Sequence, residues 1–269
     1  MSRDREPSDL GRSNAAAFGS GAVIGTLGGL IGLGGAEFRL PLLISLFRFH
    51  GLEAVILNKA VSLIVVSTAL PFRASAVPLM EVADHWTVIV NMLAGSVLGA
   101  WGGAEWATRL KSATLYRIIA ALLVVTAGVL WSTHDAVAGA PAFTGHVFVM
   151  ACFAIGFVIG VIASLLGVAG GEFLIPALVL ICGIDIKLAG SLSLAISLPT
   201  MLISFARYSR DQSFSVLRQN SKFFLVMAVG SILGTLIGGL LLGVVPSAAL
   251  LPLLVLVLLV SAVKVWRHA

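Results

Sequence analysis

Ten apolar blocks, separated by short polar or glycine-rich stretches, fill almost the whole of this chain. They lie at residues 15–33, 37–47, 57–72, 86–104 and 113–131, and again at 146–168, 172–182, 189–205, 223–243 and 248–265. Most are long enough to cross a bilayer as helices. The blocks at 37–47 and 172–182 are not, because about 11 to 13 residues at a rise of ~1.5 Å span less than a hydrocarbon core of ~30 Å. Each of these two is predicted to be a half-spanning arm.

The blocks repeat. A shift of 135 positions carries Gly21 and Gly25 onto Gly156 and Gly160, Gly32 onto Gly167, Gly35 onto Gly170, and Glu37, Phe38 and Pro41 onto Glu172, Phe173 and Pro176. The same shift carries Gly95, Gly99 and Gly103 onto Gly230, Gly234 and Gly238, and Trp131 onto Trp266, without an insertion. Coincidences of glycine, proline, glutamate and tryptophan carry weight that leucine or alanine matches in an apolar chain do not. The organisation predicted is a polar tail at 1–14, a first repeat of five segments at 15–134 and a second at 135–269.

Composition places these helices in a membrane. Hydrophobic residues make up 59% of the chain and charged residues 11%, against about 25% charged in soluble domains, which excludes a soluble globule. The net charge of +5 is not gathered into basic clusters interleaved with aromatics, so nucleic acid is not expected as a partner. Cys152 and Cys182 sit in apolar blocks with neither metal-ligand spacing nor a disulfide framework, and read as small core residues. The five histidines do not cluster, and no nucleophile elbow, phosphate loop or metal motif is present. No cofactor, no metal and no enzymatic activity are expected. The mixed-charge start leads into apolar blocks without a cleavage site, as a cytoplasmic tail does and a signal peptide does not.

Two topologies follow from the short arms. Either the first two segments of each half form one broken crossing, or they form a hairpin that folds back. The hairpin puts both termini in the cytoplasm, inverts the second half, and places fourteen of the 17 Lys and Arg residues on the cytoplasmic side. Only Arg73 and Lys187 then lie outside, with Arg39 inside the membrane. The broken crossing leaves Arg48, Lys59, Arg109, Lys111, Arg117 and Lys187 outside. Because cytoplasmic loops carry the excess of positive charge, the hairpin is favoured. The fold expected is therefore an all-α polytopic membrane protein of about 8 to 10 helical segments in two inverted repeats, each with a glycine-rich hairpin and three transmembrane helices, an arrangement typical of secondary transporters.

The densest signal lies at the hairpin tips: Gly21-x3-Gly25-x3-Gly29, then Gly32-Leu33-Gly34-Gly35-Ala36-Glu37-Phe38-Arg39-Leu40-Pro41, matched by Gly167-Val168-Ala169-Gly170-Gly171-Glu172-Phe173-Leu174-Ile175-Pro176. Small residues at every fourth position form a smooth stripe along a helix and let another backbone approach. The glycine pair permits a reversal with positive φ, and a proline fits the first turn of the next helix. Each motif thus reads as helix, tight turn, new helix start. Two helix starts in low dielectric offer unpaired N–H groups and positive dipole ends that suit a small anion.

The paired motif, once in each half of a chain of this size, resembles the TauE/SafE family of sulfite exporter-like membrane proteins. That resemblance implies a polytopic transporter of the bacterial inner membrane associated with export of sulfite, organosulfonates or related sulfur-containing anions. The chain departs from the family pattern in three places: Ala36 and Ala169 each replace a glycine, and both copies carry a glutamate where an apolar residue is commoner.

Among polar residues, Glu37 and Glu172 occupy equivalent positions where a charge costs at least about 2.5 kcal/mol on insertion scales. They read either as proton-coupling carboxyls or as caps on helix starts. Arg39, matched by Leu174, reads as a bidentate oxyanion contact or as an ion-pair or snorkelling side chain. Ser62, Ser193 and Ser197 read as a polar lining or as interhelical packing, and Lys59 as an interfacial anchor. The glycine triples at Gly95 and Gly230 read as packing seams. The substrate-binding set expected is Gly34, Gly35, Ala36, Glu37, Arg39, Ser62, Gly170, Gly171, Glu172, Ser193 and Ser197. The function expected is alternating-access transport of a small anion, sulfur-containing or carboxylate, with a passive anion channel as the rival. The partners expected are that anion and the lipid bilayer, with room for a homodimer.

Overall fold

The computed structural model describes residues 13–31, 35–73, 79–132 and 141–241, with short stretches between 255 and 267. The described residues hold eleven α-helices and no strand. They are α1 (Asn14–Ile31), α2 (Ala36–Ser45), α3 (Gly51–Arg73), α4 (Leu79–Asp84), α5 (Trp86–Arg109), α6 (Ser112–Ser132), α7 (Gly145–Leu166), α8 (Gly171–Cys182), α9 (Ile186–Tyr208), α10 (Ser215–Gln219) and α11 (Ser221–Leu241). Six of these, α3, α5, α6, α7, α9 and α11, are long and apolar enough to cross a membrane. Large apolar side chains such as Phe18, Leu98, Phe157 and Leu236 are exposed along the helices, as lipid contact requires. The protein is an all-helical, multi-pass membrane protein. Most of the block at 248–265 lies outside the described residues.

Two helices begin earlier than the hydrophobic pattern indicates. At α3 the Glu53 carboxylate accepts from the His50 backbone N–H (3.3 Å) and Ala54 N–H donates to the His50 carbonyl, so the first turn forms ahead of the apolar block. At α9 the Ala189 N–H reaches the Asp185 carbonyl at 2.7 Å.

The helices pair across the two halves of the chain. Gly21 and Gly25 of α1 lie against Met227 and Ser231 of α11, while Gly230 and Gly234 of α11 lie against Phe18 and Ala22 of α1. Shifted by one repeat, the same contacts recur: Gly156 and Gly160 of α7 lie against Met92 and Ser96 of α5, and Gly95 and Gly99 of α5 lie against Phe153 and Phe157 of α7. In each case the position a Cβ would occupy is filled by a partner carbonyl. Residue numbers rise together along both members of a pair, so the paired helices run parallel. In a bilayer, lipid tails are as apolar as leucine, and close backbone packing of this kind drives helix association.

The short helices fold back on the long ones. Gly35 (φ 70°) lies against the Ile24 carbonyl of α1, and beyond the end of α2 Phe47 and Phe49 pack on Phe223 at the start of α11. Gly170 (φ 87°) lies beside Ile159 and Ala163 of α7, and Cys182 at the end of α8 faces Cys152 near the start of α7. Both glycines occupy the left-handed region that side chains rarely adopt, and each immediately precedes a helix start. A charged pair ties α5 to α9, with the Glu105 carboxylate shared between Arg207 and Arg109.

Adding bulk in a seam separates two spans. Gly99→Val should lower the unfolding midpoint in detergent, because overpacking a filled contact costs about 1–3 kcal/mol or more. Gly102→Ala, on the same helix with open space around it, should not lower the midpoint and should raise it slightly, because alanine favours a helix interior over glycine by about 0.5–1 kcal/mol. Equal effects of the two substitutions would contradict the seam.

Candidate functional site

The fold-back in the first half delivers Arg39 to the interior. It sits in the first turns of α2, just beyond Gly35, and is fully buried. Its guanidinium donates to Asn58 Oδ1 (3.4 Å) and Ser62 Oγ (3.1 Å) on α3, and to Ser231 Oγ (3.3 Å) on α11. Asn58 in turn donates through Nδ2 to the Leu166 carbonyl at the end of α7 (3.2 Å). Buried polar groups are costly unless hydrogen-bonded, and these side chains satisfy one another in a chain running from α11 through α2 and α3 to α7. The start of the first arm and the tip of the second fold-back are thereby joined.

Lys59, one residue on, is fully buried and not an interfacial anchor as the sequence suggests. Its ammonium donates to the carbonyls of Ala163 and Val168, each at 3.1 Å. The last carbonyls of a helix lack intrahelical donors and carry the negative dipole end. Lys59 supplies both a donor and a charge of the right sign to the end of α7. Gly167 (φ 67°) closes α7 there and lies against the Val55 carbonyl of α3.

The second half builds a different site on the equivalent scaffold. Leu174 stands where the first half has Arg39, Ser193 for Asn58, Leu194 for Lys59, Ser197 for Ser62, Thr200 for Val65, and Ser96 for Ser231. Ser96 of α5 shares a hydrogen bond with Thr200 of α9 at 2.7 Å. Ser193 bonds locally to the Gly190 carbonyl at 2.9 Å. The hydroxyls of Ser191 and Ser197 are buried without a hydrogen-bond partner among the described residues. For Ser197 the comparison supplies a reason, since leucine at 174 offers no donor equivalent to the guanidinium that Ser62 accepts. Ser193, Ser197, Thr200 and Ser204 are all buried at helical spacing on α9, the hydroxyl stripe expected of that face.

Of the residues expected at the site, Gly35, Ala36, Arg39 and Ser62 are brought together around the first arm. Gly170 and Gly171 open α8, and Ser193 and Ser197 lie on α9. Gly34 and the side chains of Glu37 and Glu172 lie outside the described residues. Ser231 and Ser96 are participants that the sequence reading passes over. Their signal is present all the same, in the Gly-Ser pairs at 95–96 and 230–231 that the repeat superimposes.

The family model described as Sulfite exporter TauE/SafE matches the chain over residues 2–130 and 151–269. No curated protein matches the chain, and no solved structure does.

Removing the Lys59 ammonium takes a donor from the Val168 carbonyl and from the Ala163 carbonyl, the latter still accepting from the Val168 N–H. Lys59→Met should destabilise the protein by about 1–3 kcal/mol, the usual cost of a buried polar group left without its partner, as read from denaturant titration in detergent. An unchanged unfolding midpoint would show that the ammonium contributes nothing at the end of α7.

Proposed function

The chain belongs to the sulfite exporter TauE/SafE family, and from that premise we propose that it is a secondary transporter exporting a small anion such as sulfite or an organosulfonate. It works by alternating access between two inverted halves. The observation that carries this reading is the Arg39 network, a fully buried guanidinium that donates to side-chain oxygens on α3 and α11 at the junction of the two halves. A guanidinium fork matches an oxyanion better than it matches single hydroxyls. An oxyanion arriving at the same place takes over donors now spent on Asn58, Ser62 and Ser231.

Several contacts support the inverted arrangement. The base of the first fold-back, at Phe47, Phe49 and Gly51, lies with the starts of α11 and α6. The tip of the second, at Gly167, lies against Val55 in the early turns of α3, at that same end of the molecule. The base of the second fold-back, at Cys152 and Cys182, is most of the length of α7 away. These contacts support hairpins that point in opposite directions, as inverted repeats require. The reading places both termini in the cytoplasm, following the distribution of basic residues.

Within this mechanism Gly34, Gly35, Ala36, Gly170 and Gly171 bring the two helix starts close to the anion, where their N–H groups and dipole ends favour negative charge. Arg39 and Ser62 bind it from the first half, and Ser193 and Ser197 line its path from the second. Glu37 and Glu172 couple the movement to protons. Closing and opening of the interior follows from rocking of the halves about the glycine seams, which resist separation but not small rotations.

Purified protein in liposomes should show sulfite counterflow, and Glu37→Gln or Glu172→Gln should abolish flux driven by a pH gradient while leaving the protein folded. Unchanged flux and pH dependence in both variants would remove the coupling role. Arg39→Leu, which installs the residue of the second half, should weaken apparent sulfite affinity about tenfold or more, the worth of a charge-assisted hydrogen bond of about 1.5–3 kcal/mol.

A further inference from the structure

The two cysteines occupy positions that the repeat does not explain. Cys152 lies near the start of α7 and Cys182 is the last residue of α8, and their sulfur atoms are 3.9 Å apart. Their counterparts in the first half are Ala17 and Phe47, where no thiol chemistry exists and Phe47 packs edge-on against Phe223 instead. The thiol pair therefore belongs to the second hairpin alone. It sits at the open base of that hairpin, where the end of the short arm meets the long helix. A disulfide bond is about 2.05 Å long, so the sulfurs need to approach by only about 2 Å. α8 ends at Cys182, with Gly183 in the left-handed conformation closing the helix directly after it, so the thiol sits on the last turn of the arm beside α7.

We propose that Cys152 and Cys182 are a peroxide-responsive thiol pair whose disulfide staples the short arm α8 to α7 and stops transport. Hydrogen peroxide is small and uncharged and reaches a thiol pair held in apolar surroundings. Of the two buried thiols Cys182 is the more accessible, 6% exposed against 0% for Cys152, and is the first that peroxide meets. Its sulfur attacks one peroxide oxygen, the O–O bond breaks, and a sulfenic acid and one water result. The Cys152 sulfur then attacks the sulfenic sulfur, the S–O bond breaks, and a second water leaves as the disulfide forms. Both thiols are oxidised by two electrons in total and the peroxide is reduced to water. A dithiol reductant reverses the bond by thiol–disulfide exchange. The cross-link itself is independent of any transport reading, whereas its effect on flux rests on the carrier function proposed above.

The full chain in liposomes is treated with hydrogen peroxide, the peroxide is removed before cargo is added, and two readouts are taken. The first is peptide mass mapping after non-reducing digestion, and the second is counterflow of an organosulfonate, which unlike sulfite does not cleave disulfides. Peroxide should produce a Cys152–Cys182 cross-link in the wild-type chain and none in Cys152→Ser or Cys182→Ser. Counterflow should be lost on oxidation, return after a dithiol reductant, and persist under peroxide in the double serine variant. Both thiols remaining alkylatable after peroxide would overturn the thiol pair. A formed cross-link with undiminished counterflow would overturn the lock, as would equal loss of counterflow in the double serine variant. Absence of counterflow before any oxidation would contradict the carrier function and, with it, the lock, while the mass map still decides the thiol pair.

Discussion

Four glycine-on-carbonyl contacts in each of two seams bring α1 to α11 and α5 to α7, and the remainder of the molecule is arranged around that closeness. A helix pair joined through glycine has its axes nearer than one joined through leucine, and it leaves no room for an intervening side chain. Because each seam takes one helix from either half, neither half closes a core by itself. The short arms α2 and α8 fold back beside α1 and α7 and are carried into the interior with them. Ser231 and Ser96 follow directly after Gly230 and Gly95 in the seams, and this sets where the polar interior begins.

Duplication supplied one scaffold twice, and the two copies now carry different chemistry. Around α2 two basic side chains, Arg39 and Lys59, are fully buried and bonded to oxygens from α3, α7 and α11. Among the described side chains around α8 the polar ones are hydroxyls, with Leu174 and Leu194 standing where the first half has the two cations. Lys59 adds a mechanical link, since it sits on a first-half helix and holds the carbonyl end of a second-half helix.

Much of this was legible in the residues themselves. The spacing of Gly21, Gly25, Gly95 and Gly99 announces close packing, and the matched Gly-x-Glu-Phe runs at 35–38 and 170–173 announce two tight reversals. What the stripes did not name was their partners, because a smooth face fits any other smooth face. The pairing of α1 with α11 across more than two hundred residues is a property of the assembled fold. Lys59 was misread for a related reason. An isolated lysine near the start of an apolar block has the pattern of an interfacial anchor, and only the arrival of α7 from the other half turns it into a buried cap. Thr200 and Ser231 lay in apolar blocks where hydroxyls are common, and their roles follow from what stands opposite them.

The opposition of the two hairpins is the claim on which alternating access depends, and side-specific labelling tests it most directly. In a background without native cysteines, a single cysteine at His50, beside the base of the first hairpin, is compared with one at Phe143, beside the base of the second. Both positions are exposed. With a membrane-impermeant maleimide applied to sealed inside-out and right-side-out vesicles, the two positions should react in opposite vesicle types, His50 from the cytoplasmic face and Phe143 from the other. Labelling of both positions from the same face would contradict the inverted arrangement and the transport mechanism built on it.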